Sequence, residues 1–296
     1  MSCIIGIDLG SNSLGVVKFD CKKREVIDSC SFTVRTASSL VDKGIIDEGA
    51  ISRIIEALNI AKDRLDFTNC KIKAVTTEAM RVATNSKEVI SKIKENTGIE
   101  FEIIDSTQEA ILTLKAVKNR LEIMGIDKDF VVVDIGGAST EVTFYIDNKI
   151  YTKSFKLGIV TVVSEAKDLD NIEKLIEKLS EPILDYIKEF NNKELIFVAT
   201  AGTPTTIAAL KHNLNYETYN GKVVNGTILT YDDLNFYLEK LIKMDKKNRQ
   251  IAVGVGREDL IIAGVLIFRK FYDMLKKDKS IVIDDSLREG VALEFC

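Results

Sequence analysis

Several features that would place this sequence in another class of protein are absent from it. No apolar run approaches the ~20 residues of a membrane span, and the apolar stretch at residues 3–7 is too short for a signal peptide and is followed by Asp8. The formal net charge of −4 excludes binding of duplex nucleic acid by bulk electrostatics. No low-complexity tract or flexible linker separates the two halves, so we expect them to pack closely. These absences predict a cytoplasmic protein without a membrane partner.

Cysteine and histidine are too few and too scattered to suggest a metal site. The five cysteines are odd in number and lack the spacing of metal ligands, which predicts free thiols at Cys3, Cys21, Cys30, Cys70 and Cys296. The single histidine, His212, lies on a predicted helix, where we expect it to be exposed and without a role.

The composition is that of a globular protein with enough apolar residues for substantial cores. Hydrophobic residues make up 46% of the chain and charged residues 29%. A length of 296 residues suits one large domain or two ordinary ones. A homodimer is left open as a possible assembly.

The most informative positive feature is a loop pattern that occurs twice. An apolar run over residues 3–7 leads to Asp8, then to a Gly/Ser-rich turn over 9–13 and a second apolar run. The same order recurs with a run over 130–133, Asp134, and a turn over 135–139. Both read as strand, tight turn, strand, with an acid at the mouth of the turn. Such turns expose several N–H groups that hold phosphate oxygens, and the aspartate is placed to hold a hydrated divalent cation.

Strands and helices alternate along the chain, which predicts an α/β architecture. Because the loop pattern is duplicated, we expect two similar domains, 1–124 and 125–296, facing each other across a cleft, with the last helix able to pack back on the first domain. Pro182 is expected to break or kink the long helical segment over 171–190. Thr230 is expected to cap the following helix over 231–244.

Five motifs occur along the chain in an order that resembles one family. They are Asp8-Leu9-Gly10-Ser11-Asn12-Ser13, Thr77-Glu78-Ala79-Met80-Arg81, Asp134-Ile135-Gly136-Gly137-Ala138-Ser139-Thr140-Glu141, Arg257-Glu258-Asp259 and Leu287-Arg288-Glu289-Gly290. The sequence resembles, essentially from end to end, the exopolyphosphatase/guanosine pentaphosphate phosphohydrolase family. The resemblance implies two actin-like, ribonuclease H-like domains of the sugar kinase/actin/chaperone-ATPase superfamily. It also implies magnesium-dependent removal of a terminal phosphate from inorganic polyphosphate or guanosine pentaphosphate.

The resemblance implies two catalytic residues. Glu109 falls where the family carries its catalytic glutamate, which orients or deprotonates the attacking water. The alternative is a first-turn glutamate that only complements the helix dipole. Arg81 matches the arginine that holds a phosphate bidentately, and its alternative is a surface ion pair.

The two loops supply the remaining candidate residues. Asp134 and Glu141 are expected to bind Mg²⁺, directly or through water, with Asp8 doing similar work from the facing loop. The alternative for the aspartates is an Asx-type turn cap, and for Glu141 a solvated strand residue. The candidate phosphate-binding residues are Asp8, Gly10, Ser11, Asn12, Ser13, Gly136, Gly137, Ala138, Ser139 and Thr140.

Four positions depart from the family's pattern. Gly15 replaces a basic residue, Ser286 replaces a glycine, and the turn over 199–204 has fewer glycines than usual and contains Pro204, which has no N–H donor. Ala138 replaces a third glycine, and we expect a negative φ there because alanine disfavours positive φ.

We expect Arg257 to pair with Asp259, and Arg288 with Glu289, as structural pairs.

These departures bear on the substrate more than on the class of reaction. They predict polyphosphate ahead of guanosine pentaphosphate, because a nucleotide needs a shaped pocket and polyphosphate does not. Two other functions stay open: an ATP-dependent kinase of the same superfamily, and a polyphosphate- or alarmone-binding sensor without turnover.

Overall fold

The structure is a computed structural model that describes residues 3–166, 168–190 and 194–296. The chain forms two compact units. The first contains residues up to Lys118 together with Asp285–Cys296, and the second is Asn119–Asp284. The chain therefore leaves the first unit before the expected boundary at residue 124, and its last helix belongs to the first unit.

Within the described residues, the first unit is built on a five-stranded mixed sheet. Its strands are β1 (Cys3–Leu9), β2 (Ser13–Asp20), β3 (Glu25–Thr33), β4 (Lys71–Thr76) and β5 (Phe101–Ile103). The spatial order is β3-β2-β1-β4-β5, with β1, β2 and β3 antiparallel and β1, β4 and β5 parallel. The parallel strands end at the same edge of the sheet, so the segments that follow β1, β4 and β5 are brought together there.

Helices cover both faces of this sheet. They are α1 (Leu40–Lys43), α2 (Glu48–Leu65), α3 (Glu78–Val82), α4 (Ser86–Thr97), α5 (Ser106–Ile123, which ends in the second unit) and α13 (Leu287–Glu294). Alternate residues of β1 face opposite sides. Ile5 and Ile7 join the core formed with α2 and α4, whereas Ile4 packs with Ala292 of α13. Asp8 shares the α13 face with Ile4.

The second unit contains a six-stranded mixed sheet. Its strands are β6 (Phe130–Ile135), β7 (Thr140–Ile146), β8 (Lys149–Phe155), β9 (Ile196–Thr200), β10 (Thr227–Thr230) and β11 (Lys279–Val282), in the order β10-β11-β9-β6-β7-β8. Its helices are α6 (Ile159–Ala166), α7 (Leu169–Lys188), α8 (Gly202–Lys211), α9 (Gly221–Val224), α10 (Tyr231–Lys243), α11 (Lys246–Val253) and α12 (Ile261–Leu275). One continuous core joins the sheet to α6, α7, α8, α10 and α12.

The two sheets share one topology. In each, an antiparallel meander of three strands is followed by two strands parallel to the first, giving β3-β2-β1-β4-β5 in one unit and β8-β7-β6-β9-β11 in the other, with β10 added at the edge. Equivalent strands β1 and β6 each deliver one of the two loops. The predicted pair of similar actin-like α/β domains is confirmed.

Some local predictions hold and others do not. Thr230 caps α10, accepting a hydrogen bond from the Asp233 N–H at 3.1 Å. Of the break or kink predicted at Pro182, the break does not occur, since α7 runs through it as one helix. Ile172, Ile176 and Ile183 of that helix are buried in the core, and this packing outweighs the lost backbone hydrogen bond. No helix in the described part of the chain is long and apolar enough to cross a membrane.

The prediction of free cysteines is wrong for four of the five. Disulfides join Cys3 to Cys70 and Cys21 to Cys296, and Cys30 is a buried free thiol. The first pair follows from the β1–β4 register, which sets Ile4 opposite Lys71 and so places Cys3 beside Cys70. The second forms because α13 packs on β1 and β2, which brings the end of the chain to the turn after β2. The paired cysteines are 67 and 275 residues apart in sequence, so the spacing of cysteines along the chain does not indicate either pairing.

Candidate active site

The first loop connects β1 to β2 at the carboxyl edge of its sheet. Asp8 is the penultimate residue of β1 and lies opposite Gly15 in the antiparallel ladder. The turn is closed by the Gly10 N–H, which donates to the Ser13 carbonyl at 2.9 Å. Asp8 is therefore a strand residue on the sheet face covered by α13, and the turn is closed by backbone groups instead.

A segment after β3 holds this loop in place. The N–H groups of Val34 and Arg35 both donate to the Asn12 carbonyl at 2.9 Å, and the Ala37 N–H donates to the Ser11 carbonyl at 2.8 Å. These bonds occupy the carbonyl oxygens of the loop and fix the orientation of its peptide groups. A loop built to bind an anion through N–H groups needs this kind of external fixation.

The carboxylate of Asp8 is buried and incompletely bonded. Within the described residues its Oδ1 atom has no hydrogen-bond partner. Burial raises the pKa of Asp8 to about 7, and the nearby positive charge of Arg288 opposes that rise. A buried carboxylate oxygen without a partner is costly unless a ligand completes it.

Arg288 reaches Asp8 from the first turn of α13. A side chain at position 15 would meet it, because a β-carbon there would lie 3.0 Å from Arg288 Cδ and 3.4 Å from Nη1. The predicted Arg288–Glu289 pair is confirmed, with Nε 2.7 Å from Oε1. The sequence did not reveal that Arg288 also neighbours Asp8, since this depends on α13 folding back onto β1.

Arg81 and Glu109 meet at the same edge of the first sheet. Helix α3 follows β4 and α5 follows β5, so the parallel strands bring Arg81 and Glu109 together across 28 residues of sequence. Arg81 Nη1 lies 3.0 Å from Glu109 Oε2 and donates to the Ile104 carbonyl at 2.7 Å. The two side chains are only 18% and 15% exposed, so this is not a surface ion pair.

The guanidinium of Arg81 has a second carboxylate neighbour and one unused nitrogen. Its Nε lies 2.9 Å from Glu78 Oε2, whereas its Nη2 is buried without a hydrogen-bond partner among the described residues. Burial opposes the charge of Arg81, but Glu109 and Glu78 raise its pKa above the ordinary value. Arg81 is therefore a fixed cation with one N–H₂ group available to an anion.

The second loop repeats the geometry of the first with different neighbours. Asp134 lies opposite Glu141 across β6 and β7, and the Gly136 N–H donates to the Ser139 carbonyl at 2.9 Å. Here the loop is held by α6, whose Ile159 and Val160 N–H groups donate to the carbonyls of Gly136 and Gly137 at 3.0 and 2.7 Å.

Two residues beside this loop explain its local composition. Gly158 allows α6 to approach, because a methyl group there would collide with the backbone of Ala138. Ala138 is not among the residues with positive φ, as expected for an alanine in place of glycine.

Glu141 is a buried residue and not a solvated strand residue. It is 4% exposed, and its Oε1 accepts hydrogen bonds from Ser139 at 2.8 Å and from Ser154 at 2.7 Å. Ser154 lies directly opposite Glu141 in the β7–β8 ladder. Its part in the site was not predicted, because it depends on the register of two strands.

The residues of the second loop fit a magnesium ion. Mg²⁺ is bound in phosphoryl-transfer sites by one or two carboxylates, with waters and substrate phosphates completing an octahedron. Asp134 and Glu141, directly opposite each other on one face of the sheet, provide such a pair. In the part of the chain that the structure describes, no cluster of three or more acidic, histidine or cysteine ligands is found.

The Arg257 motif lies between α11 and α12 and contacts the start of α8, just after β9. Arg257 does not pair with Asp259 as predicted. Its Nη2 donates to the Gly202 carbonyl at 2.8 Å and to Thr206 Oγ1 at 3.0 Å, while Asp259 pairs with Lys246 at 2.8 Å. The turn between Gly254 and Arg257 directs the arginine to the start of α8 and the aspartate away from it. Ala201, before α8, has φ 68° and ψ −171°, a conformation that suits glycine.

The model of the Ppx/GppA phosphatase family matches residues 16–296. The chain therefore belongs to the Ppx/GppA phosphatase family. An Aquifex aeolicus structure described as a PPX-GPPA enzyme superposes with a TM-score of 0.78 at 29% identity, covering 99% of both chains.

Three relatives differ in length and in name. A bifunctional 3-dehydroquinate synthase/phosphatase of Fusobacterium nucleatum is 27% identical over 97% of this chain and 46% of its own length. A guanosine-5′-triphosphate,3′-diphosphate pyrophosphatase of Vibrio vulnificus is 27% identical over 98% and 58%. Exopolyphosphatase 2 of Mycobacterium tuberculosis is 24% identical over 99% and 98%. The chain thus spans about half the length of the first two relatives.

Proposed function

We propose that this chain hydrolyses the terminal phosphoanhydride bond of inorganic polyphosphate and depends on a divalent cation. The observation that carries the proposal is the Arg81–Glu109 pair, in which a part-buried carboxylate lies beside an arginine with one unpartnered N–H₂ group. Hydrolysis needs a group that handles water beside a fixed cation that holds the phosphate under attack. A purely structural ion pair would have no reason to leave Nη2 buried and unbonded.

Each residue has one task in this reaction. Glu109 orients a water molecule and accepts its proton as the water oxygen attacks the terminal phosphorus. Arg81 Nη2 donates to an oxygen of that phosphate, and the bond from phosphorus to the bridging oxygen breaks, leaving the shortened polymer. The loop residues donate to phosphate oxygens, and Asp134 and Glu141 would hold Mg²⁺, which neutralises phosphate charge when bound.

Three features favour polyphosphate over guanosine pentaphosphate. Position 15 lacks a basic side chain, and its space is occupied by Arg288. The turn before α8 is stiffened by Ala199, Ala201 and Pro204, all part of a strand or a helix start. A cavity beside Arg257, lined by residues that include Tyr216 and Tyr219, has a volume of only about 10 Å³, which is room for one water and not for a purine.

Guanosine pentaphosphate is the second candidate. It is favoured by the name of the Vibrio vulnificus relative and by Arg257, whose described bonds go to a carbonyl and a hydroxyl and leave its charge for an anion. Exopolyphosphatase 2 of Mycobacterium tuberculosis, which matches this chain over nearly its whole length, favours polyphosphate. The magnesium ion, a homodimer, a cytoplasmic location and a shared cleft for both loops stay predictions.

The test is release of phosphate from long polyphosphate and from guanosine pentaphosphate, measured side by side at low salt and matched free Mg²⁺. We expect the higher kcat/KM for polyphosphate, and the reverse order would make guanosine pentaphosphate the substrate. Glu109→Gln should lower turnover by about 10² or more while polymer binding survives, because the amide cannot accept the proton. Near-normal turnover by this variant would remove Glu109 from the reaction.

The same assay separates the two other functions. A kinase would lose phosphate from its donor only when an acceptor is supplied. A sensor would bind polyphosphate but release none in a single turnover.

A further inference from the structure

Glu78 has no assigned role, yet it contacts the candidate catalytic arginine directly. It begins α3, three residues before Arg81, and the end of its side chain lies on the same side of that short helix. Glu78 Oε2 is 2.9 Å from Arg81 Nε, and the Glu78 side chain is 31% exposed. Glu78 is thus a part-buried carboxylate placed against the guanidinium from the side opposite to the Ile104 carbonyl and Glu109 contacts on Nη1.

The three nitrogens of Arg81 are used unequally. Nε is taken by Glu78, and Nη1 is shared by Glu109 and the Ile104 carbonyl, which leaves Nη2 as the nitrogen without a described partner. The described bond from Arg81 to Glu109 uses a single nitrogen, Nη1. A planar guanidinium held at Nε and at Nη1 cannot rotate in its own plane without breaking one of these bonds.

Without Glu78, the preferred pairing of Arg81 changes. An isolated arginine and carboxylate favour the bidentate arrangement, in which two nitrogens bond two oxygens. Release of Nε would let the guanidinium turn until two of its nitrogens faced Glu109. That arrangement would occupy both oxygens of Glu109, which must handle water, and would turn the N–H₂ group away from the phosphate.

We propose that Glu78 is a positioning residue, which holds Arg81 Nε so that Nη2 stays available to the substrate phosphate. The inference rests on the proposed function of the Arg81–Glu109 pair and adds to it the residue that sets the pair's geometry. Because the contact is a hydrogen bond to an oxygen, a glutamine in the right rotamer can replace it, whereas an alanine cannot.

The experiment compares Glu78→Ala, Glu78→Gln and the control Glu88→Ala in phosphate release from long polyphosphate. Glu88 is an exposed glutamate in the first turn of α4 and has the same charge. We expect Glu78→Ala to lower kcat about tenfold with KM changed less than about twofold, since orientation in the transition state is lost more than capture of the polymer. Glu78→Gln should stay within about threefold of the parent, and Glu88→Ala should match the parent.

A double-mutant cycle with Arg81 distinguishes positioning from a general structural effect. If Glu78 acts through Arg81, adding Glu78→Ala to Arg81→Ala should change kcat by less than about twofold, whereas independent effects would multiply. An unchanged kcat in Glu78→Ala, or a full tenfold loss added to Arg81→Ala, would overturn the proposal. Neither of these two outcomes contradicts the proposed function. That function would be contradicted by a parent protein that releases no phosphate from polyphosphate.

Discussion

The two loops have the same backbone and different electrostatic surroundings. In both, the aspartate is the last residue but one of its strand and pairs with a residue near the start of the next strand. In both, a glycine N–H closes the turn by donating to a serine carbonyl at 2.9 Å. Asp8 faces Gly15, with Arg288 as its charged neighbour, while Asp134 faces the carboxylate of Glu141. The hairpin of the first unit therefore carries one carboxylate with an arginine nearby, whereas the hairpin of the second unit carries two opposed carboxylates.

This difference suggests a division of work between the loops. Two opposed carboxylates favour a divalent cation, because their negative charges repel each other and a positive ion between them offsets that repulsion. A single buried carboxylate near an arginine does not provide such a site by itself. We therefore expect the second loop to dominate metal binding and the first to contribute mainly to binding of phosphate.

The largest expected effect comes from Asp134. Asp134→Asn removes one of the two opposed carboxylates, so turnover should fall by about 10³, which is within the range for lost electrostatic stabilisation of a transition state. Asp134→Glu, which keeps the charge, should recover part of the rate. Measuring phosphate release by both variants under saturating Mg²⁺ checks this, and full activity in Asp134→Asn would contradict the role of the pair.

The second largest effect concerns the stability of the fold, because the negative charge of buried Asp8 should destabilise the folded protein at high pH. Its folded pKa of about 7 lies above the ordinary value of 3.8, so its contribution to stability is present below about pH 3.8 and is lost as the pH rises through about 7. Asp8→Asn should therefore raise the free energy of unfolding at pH 8 by up to about 4 kcal/mol, since one pKa unit corresponds to about 1.4 kcal/mol.

Urea unfolding of the parent and of Asp8→Asn at pH 5 and pH 8 measures this effect. The gain should shrink at pH 5, and Asp63→Asn, an exposed aspartate on α2, should show no gain at either pH. An Asp8→Asn variant that is less stable than the parent at pH 8 would mean that Asp8 is stabilised in its charged form.

The disulfides set a further contrast, because all five cysteines lie in the first unit. Opening the Cys21–Cys296 bridge frees a loop closed over 275 residues and should lower the stability of the first unit by roughly 2–4 kcal/mol. Thermal unfolding of Cys21→Ser, with and without reductant, measures it. The Cys30→Ala variant, which changes no bridge, is the control, and equal unfolding of Cys21→Ser and the parent in the absence of reductant would show that the bridge is not formed.

The smallest expected effect separates two alanines, one with a positive φ and one without. Ala201 has a positive φ of 68°, so Ala201→Gly should stabilise the second unit by about 1 kcal/mol. Ala138 has no positive φ, so Ala138→Gly should destabilise it by roughly 0.5–1 kcal/mol through added freedom in the unfolded chain. Chemical denaturation of the two variants checks the opposite signs.

Local pattern was sufficient to predict most of the fold. Apolar runs and turn residues predicted β1, β6 and the duplicated loop, because these two strands are largely buried and their turns are rich in glycine and serine. The helix break considered at Pro182 does not occur, because the burial of a whole helix face outweighs the local penalty of the proline.

The candidate site was predictable only where one segment carries the information. The loops and the two catalytic candidates could be found by motif. The contacts of Arg288 and Ser154 could not, because they depend on helix orientation and strand register between distant segments. The disulfides and the separation of Arg257 from Asp259 were missed for the same reason.

The most direct test is the dependence of phosphate release from long polyphosphate on free Mg²⁺, compared between the parent, Asp8→Asn and Asp134→Asn. If the second loop binds the cation, Asp134→Asn should need at least about tenfold more Mg²⁺ for half-maximal rate. Asp8→Asn should keep the parent's half-maximal concentration while its maximal rate falls. Activity of the parent in excess chelator, or a shift in Asp8→Asn without one in Asp134→Asn, would contradict the assignment of the metal to Asp134 and Glu141.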